Sequence, residues 1–89
     1  MIIDSNGTKF WYQDGKLHRE DGPAIEFANG TRFWFLDGKL HREDGPACEF
    51  ADGLKFWFLD GKQVSKKAFL VWGAQRLDKH FVTDRDMEE

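Results

Sequence analysis

The stretch DGKLHREDGPA at residues 14–24 recurs without change at residues 37–47, and this recurrence decides the fold. Extending the match in both directions gives two full repeats of 23 residues, 7–29 and 30–52, and a shortened third repeat, 53–64. A repeat of this length is one supersecondary unit, which buries its apolar residues against its neighbours. The chain is therefore expected to form one continuous array in a single domain.

Each repeat carries the turn chemistry of a β-hairpin. An Asp-Gly pair lies between two short runs rich in aromatic and branched residues, which is typical of a two-residue type I′ turn. Asn29-Gly30 and Asp52-Gly53 provide similar turns between the repeats, and the Glu-Asp-Gly-Pro segments provide wider bends. The sequence predicts a mainly β protein, a single twisted antiparallel β-meander of hairpin repeats.

The third repeat changes character after Lys62, where the sequence reads KQVSKKAFL in place of KLHREDGPA. Ser65 is suited to cap the start of a helix. Apolar residues then follow at helical spacing: Leu70, Ala74, Leu77 and Phe81. We expect a capping helix at about 65–80, closing a domain of residues 1–82, and a disordered acidic tail at 83–89.

Composition limits the function classes. Residues 1–82 carry twelve acidic and twelve basic side chains, and this neutrality argues against binding to duplex nucleic acid. The single cysteine, Cys48, excludes an internal disulfide and a cysteine-based zinc site, which agrees with a cytoplasmic location. The first residues do not have the pattern of a signal peptide, and no apolar run is long enough to predict a membrane span.

Register assigns the side chains to two faces, because side chains alternate along a strand. A two-residue Asp37-Gly38 turn places His41 opposite Trp34. A two-residue Asn29-Gly30 turn would place Ile25 opposite Trp34. One face is then expected to be an apolar core that the helix covers, and it comprises Phe10, Tyr12, Leu17, Ala24, Phe33, Phe35, Leu40, Ala47, Phe56 and Phe58. The opposite face comprises Lys9, Trp11, His18, Ile25, Phe27, Arg32, Trp34, His41, Cys48, Phe50, Lys55 and Trp57.

This second face contains the candidate binding site. Tryptophan and histidine recur as cross-strand neighbours, with Lys or Arg two positions before each tryptophan. One hypothesis is that each tryptophan stacks on a histidine and stabilises its hairpin. The other is a recognition surface, with aromatic rings for stacking and cationic groups for an anion. The predicted site residues, including the arginines of the bends, are Trp11, His18, Arg19, Arg32, Trp34, His41, Arg42, Lys55 and Trp57.

Catalytic and metal sites are not favoured. His18, Glu20 and Asp21 offer mixed nitrogen and oxygen ligands only if the bend curls around a metal. Asp21 and Asp44 are instead expected to accept backbone bonds in the bend, and Arg19 and Arg42 to pair with nearby carboxylates. Neither Ser5 nor Ser65 lies in a nucleophile elbow, and no phosphate loop is present. We predict no enzymatic activity, no cofactor and no metal.

The pattern WxxDGKxHxxxGPAxxxADG at a 23-residue period resembles the MORN repeat family over residues 7–62. The repeated HREDGPA motif also resembles small tandem-repeat proteins of bacteriophages and bacteria. These resemblances imply a hairpin array that acts as a scaffold or binding surface. The leading hypothesis is a phage-encoded inhibitor that binds a host defence protein stoichiometrically in the host cytoplasm. The alternatives are an oligomer that sequesters a small anion such as a nucleotide, and a self-associating scaffold.

Overall fold

The computed structural model describes residues 1–77 and contains eleven short strands followed by one helix. The elements are β1 (Ile2–Ile3), β2 (Lys9–Phe10), β3 (Tyr12–Gln13), β4 (Lys16–Leu17), β5 (Ile25–Glu26), β6 (Arg32–Phe33), β7 (Phe35–Leu36), β8 (Lys39–Leu40), β9 (Cys48–Glu49), β10 (Lys55–Leu59), β11 (Lys62–Val64) and α1 (Lys66–Leu77). The prediction of a mainly β antiparallel meander with a C-terminal helix is confirmed. The predicted helix end at 80 and the acidic tail at 83–89 lie outside the described residues.

The strands form one long sheet with hairpins attached to it. Seven strands pair in the order β1-β2-β5-β6-β9-β10-β11, while β3-β4 and β7-β8 form separate two-stranded hairpins. Trp11 and Trp34 stand between the sheet strand and the hairpin strand of their repeats. In the third repeat β10 runs unbroken through Trp57 and pairs with both β9 and β11.

The Asp-Gly turns have the predicted backbone conformation. Asp37 has φ of 52° and Gly38 has φ of 80°, and the other two Asp-Gly pairs are alike. Two successive positive φ angles define a type I′ turn, which matches the twist of the strands it joins. The turn pairs Leu36 with Lys39, so the predicted hairpin register is confirmed.

The turn between repeats differs from the prediction and corrects the faces. Ile25 pairs with Phe33 instead of Trp34, because the loop contains three residues, 28–30. Phe27 N–H donates to Thr31 O at 2.8 Å, and Asn29 Oδ1 accepts a bond from Thr31 N–H at 2.9 Å. Four residues assigned to the tryptophan face therefore share the phenylalanine face: Ile25, Phe27, Cys48 and Phe50. The rings of Phe27, Phe33, Phe50 and Phe56 form a ladder of edge-to-face contacts there.

The strand β1 was not predicted, and it belongs to the repeat. Ile2 pairs with Phe10 as Ile25 pairs with Phe33, at an offset of 23 residues. The turn hydrogen bonds recur too, since Asp4 N–H donates to Thr8 O at 3.0 Å. Residues 2–7 thus have the structure of the second half of a repeat.

The helix begins as predicted but covers the other face. Ser65 Oγ accepts a hydrogen bond from Ala68 N–H at 3.0 Å, which caps the first turn. Phe69 is buried and packs against Trp57, with 6.5 Å between ring centroids. Since Trp57 alternates with the phenylalanines of β10, α1 lies on the tryptophan face, and the expectation that it covers the phenylalanine face is wrong. Of the described helices, none has the length and apolar character needed to span a membrane.

Candidate binding groove between two His-Arg-Glu-Asp bends

The central feature of each full repeat is an arginine held in the bend. Arg42 Cζ lies 3.8 Å from the ring centroid of Trp34. Its Nε donates to Asp44 Oδ1 at 2.9 Å, and its Nη1 donates to Pro46 O at 3.0 Å and to Glu49 Oε2 at 2.9 Å. The guanidinium group therefore fastens the bend, the neighbouring strand and the indole to one another.

The first repeat contains the same arrangement. Arg19 Cζ lies 3.8 Å from the Trp11 ring centroid, and Nε donates to Asp21 Oδ1 at 3.1 Å. Nη1 donates to Pro23 O at 3.2 Å and lies 3.5 Å from Glu26 Oε2. The predicted pairing of these arginines with nearby carboxylates is confirmed. The group that covers each indole is a guanidinium rather than the imidazole of the stacking hypothesis.

The glycine before each proline gives the arginine its room. A Cβ placed on Gly45 would lie 2.9 Å from Arg42 Cζ, and one on Gly22 would lie 3.0 Å from Arg19 Cζ. Both distances are shorter than ordinary van der Waals contacts. The Gly-Pro dipeptide thus ends the bend and also leaves space for the stacked side chain.

Each histidine joins its repeat to the next one. His18 Nδ1 accepts a hydrogen bond from Asp37 N–H at 2.9 Å, and His41 Nδ1 accepts one from Asp60 N–H at 2.8 Å. The Nε2 atoms face Glu20 and Glu43, so the proton of each neutral ring is placed on Nε2. His18 does stand opposite Trp11 in register, since its N–H donates to Trp11 O at 2.9 Å. Its ring points to the following turn.

Replacing His41 with Leu is expected to lower the free energy of unfolding by about 1–2 kcal/mol, because Asp60 N–H loses its acceptor. His41→Asn is the matched control, since its amide oxygen can take the place of Nδ1 and should keep most of the stability. Urea unfolding measures both variants, and amide hydrogen exchange at Asp60 locates the effect. Equal losses in the two variants would contradict the inter-repeat role.

The third repeat has neither the arginine over the indole nor the histidine that bonds to the next turn. Val64 stands where the histidine would be and pairs with Trp57. Phe69 covers that indole, and Lys66 Nζ lies 5.8 Å from its ring centroid. The complete arrangement therefore exists in two copies, and Trp57 belongs to the helix interface.

A groove of about 660 Å³ lies between the two bends. It is lined by Arg19, Glu20, Asp21, Gly22, Trp34, Leu36, His41, Arg42, Glu43 and Asp44. Four carboxylates accompany two guanidinium groups, so the groove is net acidic. The carboxylates stand at the rim, where the side chains of Asp21 and Asp44 are 88% and 86% exposed. Trp34 and Leu36 add apolar surface.

The predicted site residues thus do not form a single site. Arg19, Trp34, His41 and Arg42 line the groove, and Trp11 and His18 adjoin it through the first bend. Arg32 and Lys55 lie elsewhere, in a row of alternating charge across neighbouring strands. That row runs Lys9, Glu26, Arg32, Glu49 and Lys55. The face predicted to be basic is therefore balanced by glutamates that the corrected register places on it.

Glu26 and Glu49 were missed as partners of the arginines, although a signal was present. The pattern REDGPAxE occurs in both full repeats, with the glutamate seven residues after the arginine. A charge recurring at a fixed distance across a bend indicates a structural ion pair, which the assumed two-residue turn concealed by assigning the glutamates to the other face.

No other reactive constellation occurs in the described part of the chain. Within residues 1–77 no group of three or more histidine, cysteine, aspartate or glutamate side chains is placed to hold a metal ion. Cys48 is buried on the phenylalanine face, and burial raises the pKa of its thiol. The thiol is therefore held in its unreactive protonated form at neutral pH.

Comparison with known proteins gives no match: no protein-family model fits the chain, and no curated protein or solved structure shows significant similarity to it.

Proposed function

We propose that this chain is a non-enzymatic binding protein whose groove receives a basic segment of another protein. The observation that carries the proposal is the division of charge in the groove. Each of its two guanidinium groups is engaged by an aspartate and a proline carbonyl of the same bend. Two further carboxylates, those of Glu20 and Glu43, line the groove with side chains 79% and 49% exposed. Such a surface attracts lysine and arginine side chains, whose stems can lie on Trp34 and Leu36.

The same groove does not favour binding of the phosphate groups of a nucleotide. A phosphate entering the groove would compete for Arg42 with Asp44, Pro46 and Glu49, which already accept bonds from Nε and Nη1. It would also meet the negative field of Glu20 and Asp21. The protein-binding hypothesis is therefore preferred to the sequestration of a small anion.

A role as an inhibitor of a host protein is one form that this binding would take. The resemblance of HREDGPA to motifs in phage and bacterial repeat proteins supports that form, and the absence of a nucleophile arrangement in the sequence is consistent with stoichiometric action. Location in the host cytoplasm is part of the same proposal.

Titration calorimetry with a short arginine- and lysine-rich peptide tests the proposed groove. We expect binding that weakens with salt, and a loss of about tenfold or more in the double variant Glu20→Gln, Glu43→Gln. Glutamine can still accept the histidine bond, so the fold should persist. Asp14→Asn removes one charge outside the groove and should bind as the wild type does. Failure of the peptide to bind, or preferential binding of ATP, would contradict the proposal.

A further inference from the structure

The two ends of the array are complementary halves of one repeat. Residues 2–7 reproduce the strand and turn that end a repeat, and residues 53–64 reproduce the strand and hairpin that begin one. Each end of the described array is therefore formed by half a repeat. Each end presents the surface that the other end would need to continue the array.

The contact between such halves is seen twice inside the chain. Strand β2 pairs with β5 and strand β6 pairs with β9, with Trp11 N–H donating to Ala24 O at 2.9 Å and Trp34 N–H donating to Ala47 O at 2.8 Å. The hairpins also meet, since Gly38 N–H donates to Leu17 O at 2.8 Å. The pairing between the two halves of a repeat and the contact between successive hairpins together define the interface that a neighbouring copy would reproduce.

At each end of the array, one side of this interface is formed by a strand with an unpaired edge. Among the described strands, β1 pairs only with β2, and the first two residues of β10 pair only with β9. Asp4 N–H bonds inward to Thr8 O, so the N–H of Ile3 points to the open side. Phe50 N–H donates to Leu54 O between β9 and β10, so by alternation the N–H of Lys55 points to the open side of β10. Trp57 differs from Trp11 and Trp34, because it pairs with Val64 of β11.

Side chains at the ends of the described array are more exposed than their equivalents inside it. Ile2 is 56% exposed, whereas Ile25 and Cys48 at the same repeat position are 8% and 6% exposed. The exposed large apolar residues of the described chain all lie at the two ends of the array or on the helix: Met1, Ile2, Ile3, Tyr12, Leu54, Leu70 and Val71. Apolar side chains are thus exposed where a further repeat would cover them.

We propose that copies of this chain associate head to tail, with β1 of one copy adding to β10 of the next. Continuing the internal register places Ile2 of one copy opposite Phe56 of the other, and Ile3 opposite Lys55. Val64 replaces the histidine at this junction, so Asp14 N–H receives no imidazole acceptor. The junction is accordingly weaker than an internal one, and association is reversible. Because the two surfaces differ, each added copy leaves both kinds of end open.

Sedimentation velocity on the full chain tests this arrangement. We expect the average mass to rise with concentration, beyond that of a dimer, across the micromolar to millimolar range. Ile3→Pro removes the outward donor of β1, and Lys55→Pro removes that of β10. Each variant alone should be monomeric. An equimolar mixture should form a one-to-one dimer and nothing larger, because only one unblocked junction remains.

The results that overturn the proposal are equally distinct. A wild-type chain that stays monomeric throughout, or a Lys55→Pro chain that still dimerises through its N-terminal end, contradicts head-to-tail association. Circular dichroism shows that each variant is folded. Ile2→Asp and Leu54→Asp, which alter exposed side chains at the two ends, form a second pair that must give the same mixing result.

Discussion

Replacing Phe69 with Ala is expected to lower the free energy of unfolding by about 3 kcal/mol, the largest effect we predict for a single side chain. Phe69 is 6% exposed and is the one buried residue among helix residues 66–74. Its ring lies between Trp57 at 6.5 Å and Trp72 at 5.9 Å, measured between centroids. Truncation removes these contacts and leaves the indole of Trp57 open to water.

Leu70→Ala is the matched control, because Leu70 is next in the helix and 58% exposed. Its removal should change the stability by less than about 0.5 kcal/mol. Thermal and urea unfolding measure the stability of both variants, and tryptophan fluorescence should shift to longer wavelength in Phe69→Ala alone. Similar stabilities of the two variants would show that the helix does not close the array.

Phe69 takes the place in the third repeat that an arginine has in the full repeats. In the full repeats an arginine from the bend covers the indole, and the chain then returns to the sheet at Ala24 or Ala47. In the third repeat a helix supplies the cover. The change from HREDGPA to VSKKAFL thus replaces an arginine over the indole with a phenylalanine, after the last strand of the described residues.

The hairpins and their register could be predicted because they depend on local chemistry. Asp-Gly supplies two residues that accept positive φ, and the recurrence fixes the alignment of every repeat. The turn at Asn29-Gly30 was mispredicted by one residue. There, only glycine has positive φ, and the asparagine side chain caps Thr31 N–H, which a dipeptide signal cannot distinguish from a type I′ turn. The extra loop residue shifts the register by one, so Ile25 and Phe27 lie on the phenylalanine face.

The residues of the site could be predicted more readily than their roles. Tryptophan, histidine and arginine stood out by recurring at 23 residues, and the structure brings several of them together. Their side-chain directions depend on neighbouring repeats, however. His18 turns away from Trp11 because Asp37 N–H of the next hairpin needs an acceptor. Strand β1 was missed because its two isoleucines are too few to give a periodic signal.

The role of the arginine over each indole can be tested at Arg42. Truncation of Arg42 to Ala is expected to lower the free energy of unfolding by about 2–3 kcal/mol. The estimate combines the contact with Trp34 at about 0.5–1 kcal/mol with charge-assisted bonds to Asp44, Pro46 and Glu49. The side chain is only 20% exposed, so water replaces these contacts incompletely. Glu49 would in addition be left half-buried without its partner.

Two controls separate packing from charge. Arg42→Lys keeps the charge but lacks the planar fork, so it should recover less than half of the loss. Arg32→Ala removes an exposed arginine from the same face and should change the stability by less than about 0.5 kcal/mol. Urea unfolding at low and high salt measures all three variants, and the loss in Arg42→Ala should persist in high salt, because partly buried pairs are weakly screened. A loss that vanishes in high salt, or full recovery by lysine, would mean that Arg42 acts as a surface charge and does not fasten the bend to the sheet.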